Sequence, residues 1–317
     1  MRKTFGIMML TAAVALPSVA QEKGWLVRET AREYREQARF PESSHALKPG
    51  DADPVREKRT ATAQTQAGPE GPDGNRPALS VRAESVSFEV GRPIRLYAAV
   101  EDGIALEVAG EIVGEAGDLV AAFAYADDGR GIDRKAGDGV WSARVRMPEG
   151  LQPELAASYM VKVRSRLLDG DVRESVGGFL YSNPAAHLTG RYRDELREGS
   201  LVILAEVDVT RAGRFHLAGT LYSLAGEPVG TAQAAAELEP GRQWIELSFY
   251  GLMFHDRQAA GPYRLGTVAF ATTGGMPNAL NDLVENAFVT RAWKLEQMTE
   301  KPFGNPRLLE AARRLEN

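Results

Sequence analysis

From Leu79 onward apolar and polar residues exchange places with a period of two, along "LSVRAESVSFEV" and again along "PIRLYAAVED". A strand sends successive side chains to opposite faces, so this alternation describes sheets with one face on a core and the other in solvent. Turn residues close the runs at Gly91-Arg92-Pro93 and Asp102-Gly103. Further runs follow at "IALEV", "EIVGE", "DLVAAFAYA", "GVWSARVRM", "ASYMVKVRSRLL" and "VRESVGGFLYS". About seven or eight short strands with no helix between them predict an antiparallel sandwich of immunoglobulin or fibronectin type over 78–183.

"SNPAAH" interrupts the pattern and sets a boundary near Asn183-Pro184. A second set of runs then predicts a second sandwich over 184–293. In it "LYSLAGEPVGTA" is a hairpin signal across Ala225-Gly226-Glu227. In "QWIELSFYGLMF", Trp244, Glu246, Ser248 and Tyr250 share one face, and Ile245, Leu247 and Phe249 the other. "FHDR" at 254–257 is expected as a turn between strands. The chain closes with a helical tail over 294–317, where Asn305-Pro306 starts a helix through "RLLEAARRL". The fold class is therefore mainly β: two tandem antiparallel sandwiches, without a sequence repeat of fixed period between them.

The N-terminal part reads differently. "MRKTFGIMMLTAAVALPSVA" has a basic start at Arg2 and Lys3, an apolar middle too short to span a bilayer comfortably, and a small-residue exit. It predicts a signal peptide over 1–20 and an exported chain, periplasmic or secreted, with no transmembrane anchor after cleavage. Trp25, Leu26, Thr30, Tyr34 and Ala38 recur at helical intervals and predict an amphipathic helix over 21–41. Residues 42–77, rich in Pro, Gly, Thr, Gln and charge, are expected as a flexible linker. Removing Arg2 and Lys3 makes the formal charge of -5 still more negative, which argues against nucleic acid or an anionic membrane as partner. With no cysteine, disulfides, thiol nucleophiles and thiolate metal sites are excluded.

One stretch concentrates acceptor oxygens. "YADDGRGIDRKAGDGVWS", 125–142, carries Asp127, Asp128, Asp133 and Asp138 among Gly129, Gly131, Gly137 and Gly139. Calcium takes about six to eight oxygens at about 2.3–2.6 Å, and four carboxylates with exposed carbonyls can supply them. The spacing is not that of an EF-hand, since counting from Asp127 the third position is Gly129 and the twelfth Asp138. Asp and Gly are also the ordinary residues of turns, where an Asp side chain bonds its own backbone two residues on. Both readings remain open on the residues alone.

The order Asp-Asp-Gly, Asp, then Ala-Gly-Asp-Gly-Val-Trp before a strand resembles a loop of bacterial secreted proteins carrying the domain called choice-of-anchor X. It is also similar to the β-sandwich segment of calcium-activated chloride channel regulators. "FPESSHALKPGDADPV" and "GPYRLGTVAF" look like the same bacterial family. The resemblance implies a surface or secreted β-sandwich of unassigned activity and a structural calcium in the loop. Asp127, Asp128, Asp133 and Asp138 are then the expected ligands.

Catalytic signatures are missing from the sequence: there is no nucleophile elbow, His-Glu-x-x-His helix, phosphate loop or dinucleotide fingerprint. His45, His187, His216 and His255 are isolated in sequence. No pair of carboxylates among Glu101, Asp102, Glu237, Glu239 and Glu246 is singled out for glycoside hydrolysis. The expectation is a non-catalytic binding or structural module whose partner is an envelope or extracellular protein. The alternative is a carbohydrate-binding module, or an accessory domain of a secreted hydrolase system, presenting Trp244, Tyr250 and Tyr263 to a glycan.

Overall fold

The computed structural model describes residues 19–59, 61–68 and 78–316. The expected signal peptide lies almost entirely outside them. The chain forms two compact units, one from Met1–Pro41 with Lys301–Asn317 and the other from Glu42–Glu300.

In the first unit, helix α1 (Val19–Gln37) starts close to where the helix was expected. Among its described side chains Ala31 is buried, as is Ala38 just past its end, whereas Trp25 and Leu26 are about 60% exposed, so these two large apolar residues of the expected stripe do not form its packed face.

The segment expected as linker is largely ordered. Strand β1 (Ser44–Ala46) sets Ser44, His45 and Ala46 opposite Ala232, Thr231 and Gly230. Helix α2 (Pro54–Glu57) follows, and strand β2 (Gln64–Ala67) pairs with residues 78–81. Residues 69–77 lie outside the described residues. Composition misled here because an added edge strand is held by backbone N–H and C=O groups, which a polar sequence carries as well as an apolar one.

The first sandwich follows as β3 (Ala78–Ala83), β4 (Ser87–Glu89), β5 (Ile94–Glu101), β6 (Ala105–Val113), β7 (Leu119–Ala124), β8 (Val140–Val145), β9 (Ala156–Leu167) and β10 (Val172–Ser182). One sheet has the order β2-β3-β5-β8 and the other β4-β10-β9-β6-β7. All pairings are antiparallel except that of β4 with β10. The alternating residues meet between the sheets, with Leu79, Ile94, Leu96 and Ile112 fully buried. Each such aliphatic side chain contributes about 1.5–3 kcal/mol, which is why the alternation fixes which face turns inward. "IALEV" and "EIVGE", expected as separate strands, are one strand, β6. Gly110 sits inside it because a Cβ there would meet the Phe123 ring at 2.5 Å.

The second sandwich comprises β11 (Ala186–Arg197), β12 (Ser200–Val209), β13 (Gly213–Ser223), β14 (Pro228–Leu238), β15 (Gly241–Phe249), helix α3 (Leu252–Asp256), β16 (Tyr263–Thr273) and β17 (Ala279–Val289). Its sheets are β1-β14-β13-β16-β17 and β11-β12-β15. Gly219 of β13 lies so near the facing sheet that a Cβ would come within 2.9 Å of Leu247 in β15. The hairpin at Ala225-Gly226-Glu227 forms as expected, with Ser223 N donating to Glu227 O. "FHDR" is not a simple turn: α3 buries Leu252, Met253 and Phe254. A short apolar run reads the same for a strand and for one buried helical turn.

A 3-10 turn (Leu295–Gln297) closes the second unit, and α4 (Pro306–Glu316) belongs to the first. Asn305 Oδ1 accepts from Arg307 N and Leu308 N at 3.1 and 3.4 Å, capping α4 as its sequence implied. α4 packs on α1 with Ala312 buried, and Arg35 pairs with Glu316. Among the described residues, no helix is long and apolar enough to cross a membrane.

Candidate metal centre

The aspartate loop joins β7 to β8 and so passes from one sheet of the first sandwich to the other. Its two ends are tied together. Ala126 N donates to Ser142 O at 2.9 Å and Ser142 N to Ala126 O at 2.8 Å. Tyr125, just before the loop, is buried, and Trp141, just after it, packs against the same core.

Inside this frame the carboxylates hold the backbone. Asp127 Oδ1 accepts from Gly137 N at 2.7 Å and its Oδ2 from Gly139 N at 3.0 Å. Asp133, only 8% exposed, accepts from Gly129 N at 2.5 Å and Lys135 N at 3.1 Å. Those backbone donors, Gly129 first, outweigh desolvation and hold the Asp133 carboxyl below its ordinary range. Asp138 Oδ1 accepts from Val140 N at 3.0 Å. Gly129 takes a φ of +71°, and a Cβ there would stand 3.0 Å from Ala136 N. A larger residue would be strained as well as crowded.

Asp127, Asp133 and Asp138 each direct one carboxylate oxygen into a common space, with these oxygens within 4.8 Å of one another. Oxygens across a calcium ion stand up to about 5 Å apart, twice the usual bond length, so the spread fits that coordination shell. Asp128, the fourth expected ligand, is not in this group. Its Oδ1 accepts from Arg130 N at 2.9 Å, the same self-bonded turn geometry that Asp133 shows toward Lys135 N and Asp138 toward Val140 N, so both readings of the residues are realised in one loop. A recess of about 360 Å³ opens beside the loop, lined by Asp133, Asp138, Arg134, the strand residues Arg82 and Tyr97, and Glu84 just past β3.

The histidines are engaged elsewhere. His187 Nδ1 lies 3.1 Å from Asp282 Oδ1, while its Nε2 faces Glu89 at 3.7 Å. His255 Nε2 donates to Met298 O at 3.2 Å and its Nδ1 lies 3.7 Å from Glu300. Of the three aromatics considered for glycan stacking, Tyr263 is fully buried and tilted against Phe254, with ring centroids 4.7 Å apart. Trp244 is covered by the Arg193 guanidinium at 3.9 Å from its ring. Sequence reasoning missed Asp53, which anchors α2 to the second sandwich. The dipeptide Asp53-Pro54, a capping residue before a first-turn proline, was the available signal.

The geometry is that of two consecutive β-sandwiches, the first carrying an acidic crossover loop. Residues 185–278, spanning β11 to β16, match the model of the C-terminal domain of the domain of unknown function DUF4785. That match falls in the second sandwich, outside the loop that carries the choice-of-anchor X resemblance. No curated protein matches the sequence. Among solved structures, the chain is similar to a DUF4785 family protein from Legionella pneumophila subsp. pneumophila str. Philadelphia 1, with 17% identity and a TM-score of 0.47. The similarity covers 69% of this chain and 57% of that one, so this chain spans little more than half the length of that relative. Weaker similarities are to the E. coli chaperone DraB (14% identity, TM-score 0.24, 65% of this chain and 95% of that one) and to the calcium binding domain CBD12 of CALX1.1 (11%, 0.23, 58% and 77%).

Proposed function

We propose that the chain is an exported, non-catalytic β-sandwich module of the bacterial envelope or extracellular space, of the choice-of-anchor X kind, whose loop 125–142 takes a structural calcium ion. The observation that carries the calcium reading is the convergence of Asp127, Asp133 and Asp138 oxygens within 4.8 Å. Without a cation these like charges repel, and the loop's backbone N–H groups, its basic residues and solvent must offset them. With one, the loop becomes a rigid tie between the two sheets in a chain that has no cysteine to staple them. Export is supported by the basic, apolar and small-residue order of 1–20. The non-catalytic reading is supported by His187 and His255: in each ring the nitrogen opposite the carboxylate-facing one meets a carboxylate or a carbonyl, where a triad would place a nucleophilic hydroxyl. The partner in this reading is another envelope or extracellular protein.

The test is thermal unfolding of chelator-treated protein with and without calcium. A ligand that binds only the folded state must stabilise it, by about 2.7 kcal/mol at a hundredfold excess over Kd. Asp138→Asn is expected to abolish the calcium-dependent rise in Tm, and Asp128→Ala to retain it. A wild-type protein indifferent to both calcium and chelator overturns the reading.

A further inference from the structure

The outer face of β13, β14 and β16 carries a second feature, far in character from the aspartate loop. The segment from Ser43 to Arg59 crosses this face and covers part of it, leaving a recess of about 690 Å³ beside α2. Such a volume lies within the range of about 300–1,000 Å³ found for small-molecule sites. The floor is made of methyl groups: Ala218 and Ala269 face each other in register, and Ala271 lies opposite His216. The charged and titratable residues on its walls are Lys58, Arg59, His45 and His216, with no Asp or Glu among them.

These groups differ in what they have to spare. Arg59 Nη2 donates to Phe270 O at 2.8 Å and Asp282 O at 3.1 Å, so this side chain builds the wall. Burial brings its pKa down to about 10, against the pull of Asp282, and it stays charged at neutral pH. His45 Nε2 bonds Glu42 O at 3.0 Å. The Lys58 ammonium has no hydrogen bond or ion pair among the described residues, and its charge reaches His216, adding to the effect of burial in holding that imidazole below its ordinary pKa against the Gln233 hydrogen bond. A half-buried neutral imidazole and an uncommitted ammonium thus stand over an apolar floor. An apolar body recovers the transfer free energy of the alanine surface, and an anionic head supplies the opposite charge that Lys58 lacks among the described residues.

We propose that this recess binds a small organic carboxylate with an apolar body, its apolar part on Ala218, Ala269 and Ala271 and its carboxylate at Lys58 and His216. The site is separate from the aspartate loop and does not depend on a cation. The experiment is isothermal titration of the full chain with decanoate below its micellar concentration, with decanol as the neutral mate of the same chain length. Saturable decanoate binding is expected, at least about tenfold weaker for decanol and about tenfold weaker in Lys58→Glu, a change at an exposed position. Ala269→Phe, which fills the floor, is expected to remove binding, with circular dichroism checking its fold. Chelator and calcium are expected to leave the affinity unchanged. Absence of decanoate binding, equal binding of decanol, or an unaffected Lys58→Glu variant overturns the proposal.

Discussion

The Tyr222 hydroxyl donates to Asp53 Oδ2 at 2.8 Å, joining residues 169 positions apart in sequence. Thr267 Oγ1 reaches the same oxygen at 2.5 Å, and Thr220 Oγ1 reaches Oδ1 at 2.7 Å. Val55 N and Arg56 N complete the set at the start of α2. One carboxylate therefore fastens the N-terminal segment to the outer face of the second sandwich.

Asp53→Ala is expected to destabilise the protein by about 2–3 kcal/mol, through loss of a helix cap and of hydrogen bonds to a charged acceptor. Burial pulls the Asp53 pKa upward, but the donors Thr267, Thr220, Tyr222 and Arg56 N outweigh it and the net shift is down. The folded state thus favours the ionised form. Its stabilisation is in place above the ordinary Asp value of about 3.9 and is lost as pH falls through the depressed folded pKa. Denaturant unfolding of wild type and variant checks this: the two curves should converge in acid, and the variant should be nicked sooner by protease between residues 42 and 59.

His187 carries the opposite pH dependence. The Asp282 hydrogen bond raises its pKa against burial, and the charges of Asp282, Glu89 and Asp208 act in the same direction. Because the folded pKa lies above the unfolded one, the contribution is complete below about pH 6.5 and fades as pH rises through the folded value. Glu89 belongs to the first sandwich and Asp282 to the second, so the effect concerns their junction. Tm measured in steps from acid to alkaline pH should fall faster in wild type than in His187→Gln. Parallel profiles would remove the assignment.

Tyr125 leads to a substitution that should stabilise. Its hydroxyl is buried and has no hydrogen-bond partner among the described residues, and burial pushes its pKa well up. An unsatisfied buried hydroxyl costs about 1–3 kcal/mol, whereas the ring packs against Phe123 with centroids 5.3 Å apart. Tyr125→Phe keeps the ring and deletes the orphaned oxygen. Its Tm is expected to equal or exceed that of wild type, and a clear loss would show that the hydroxyl is satisfied.

Much of this architecture was legible in the residues. Ile245, Leu247 and Phe249 are buried on the face their alternation assigned to the core. Turn chemistry located the hairpin at Gly226, and Asn305 the start of α4. What escaped depends on partners distant in the chain. Nothing in "GDADPV" announces Thr220, Tyr222 and Thr267, and without them the stretch reads as polar connector. Within the aspartate loop the four carboxylates are chemically identical, and only the folded path decides that Asp127, Asp133 and Asp138 converge while Asp128 stands outside the group.

The reciprocal bonds between Ala126 and Ser142 close the aspartate loop into a ring between the end of β7 and the start of β8, which belong to different sheets. Val140 and Trp141 lie inside that ring and already pair with Ala99 and Ala98 of β5, so the ring is continuous with the sheet it enters. The loop is therefore a clasp and not an appendage: its last residues are at once ring and sheet, so whatever orders the ring orders the edge of β8 with it.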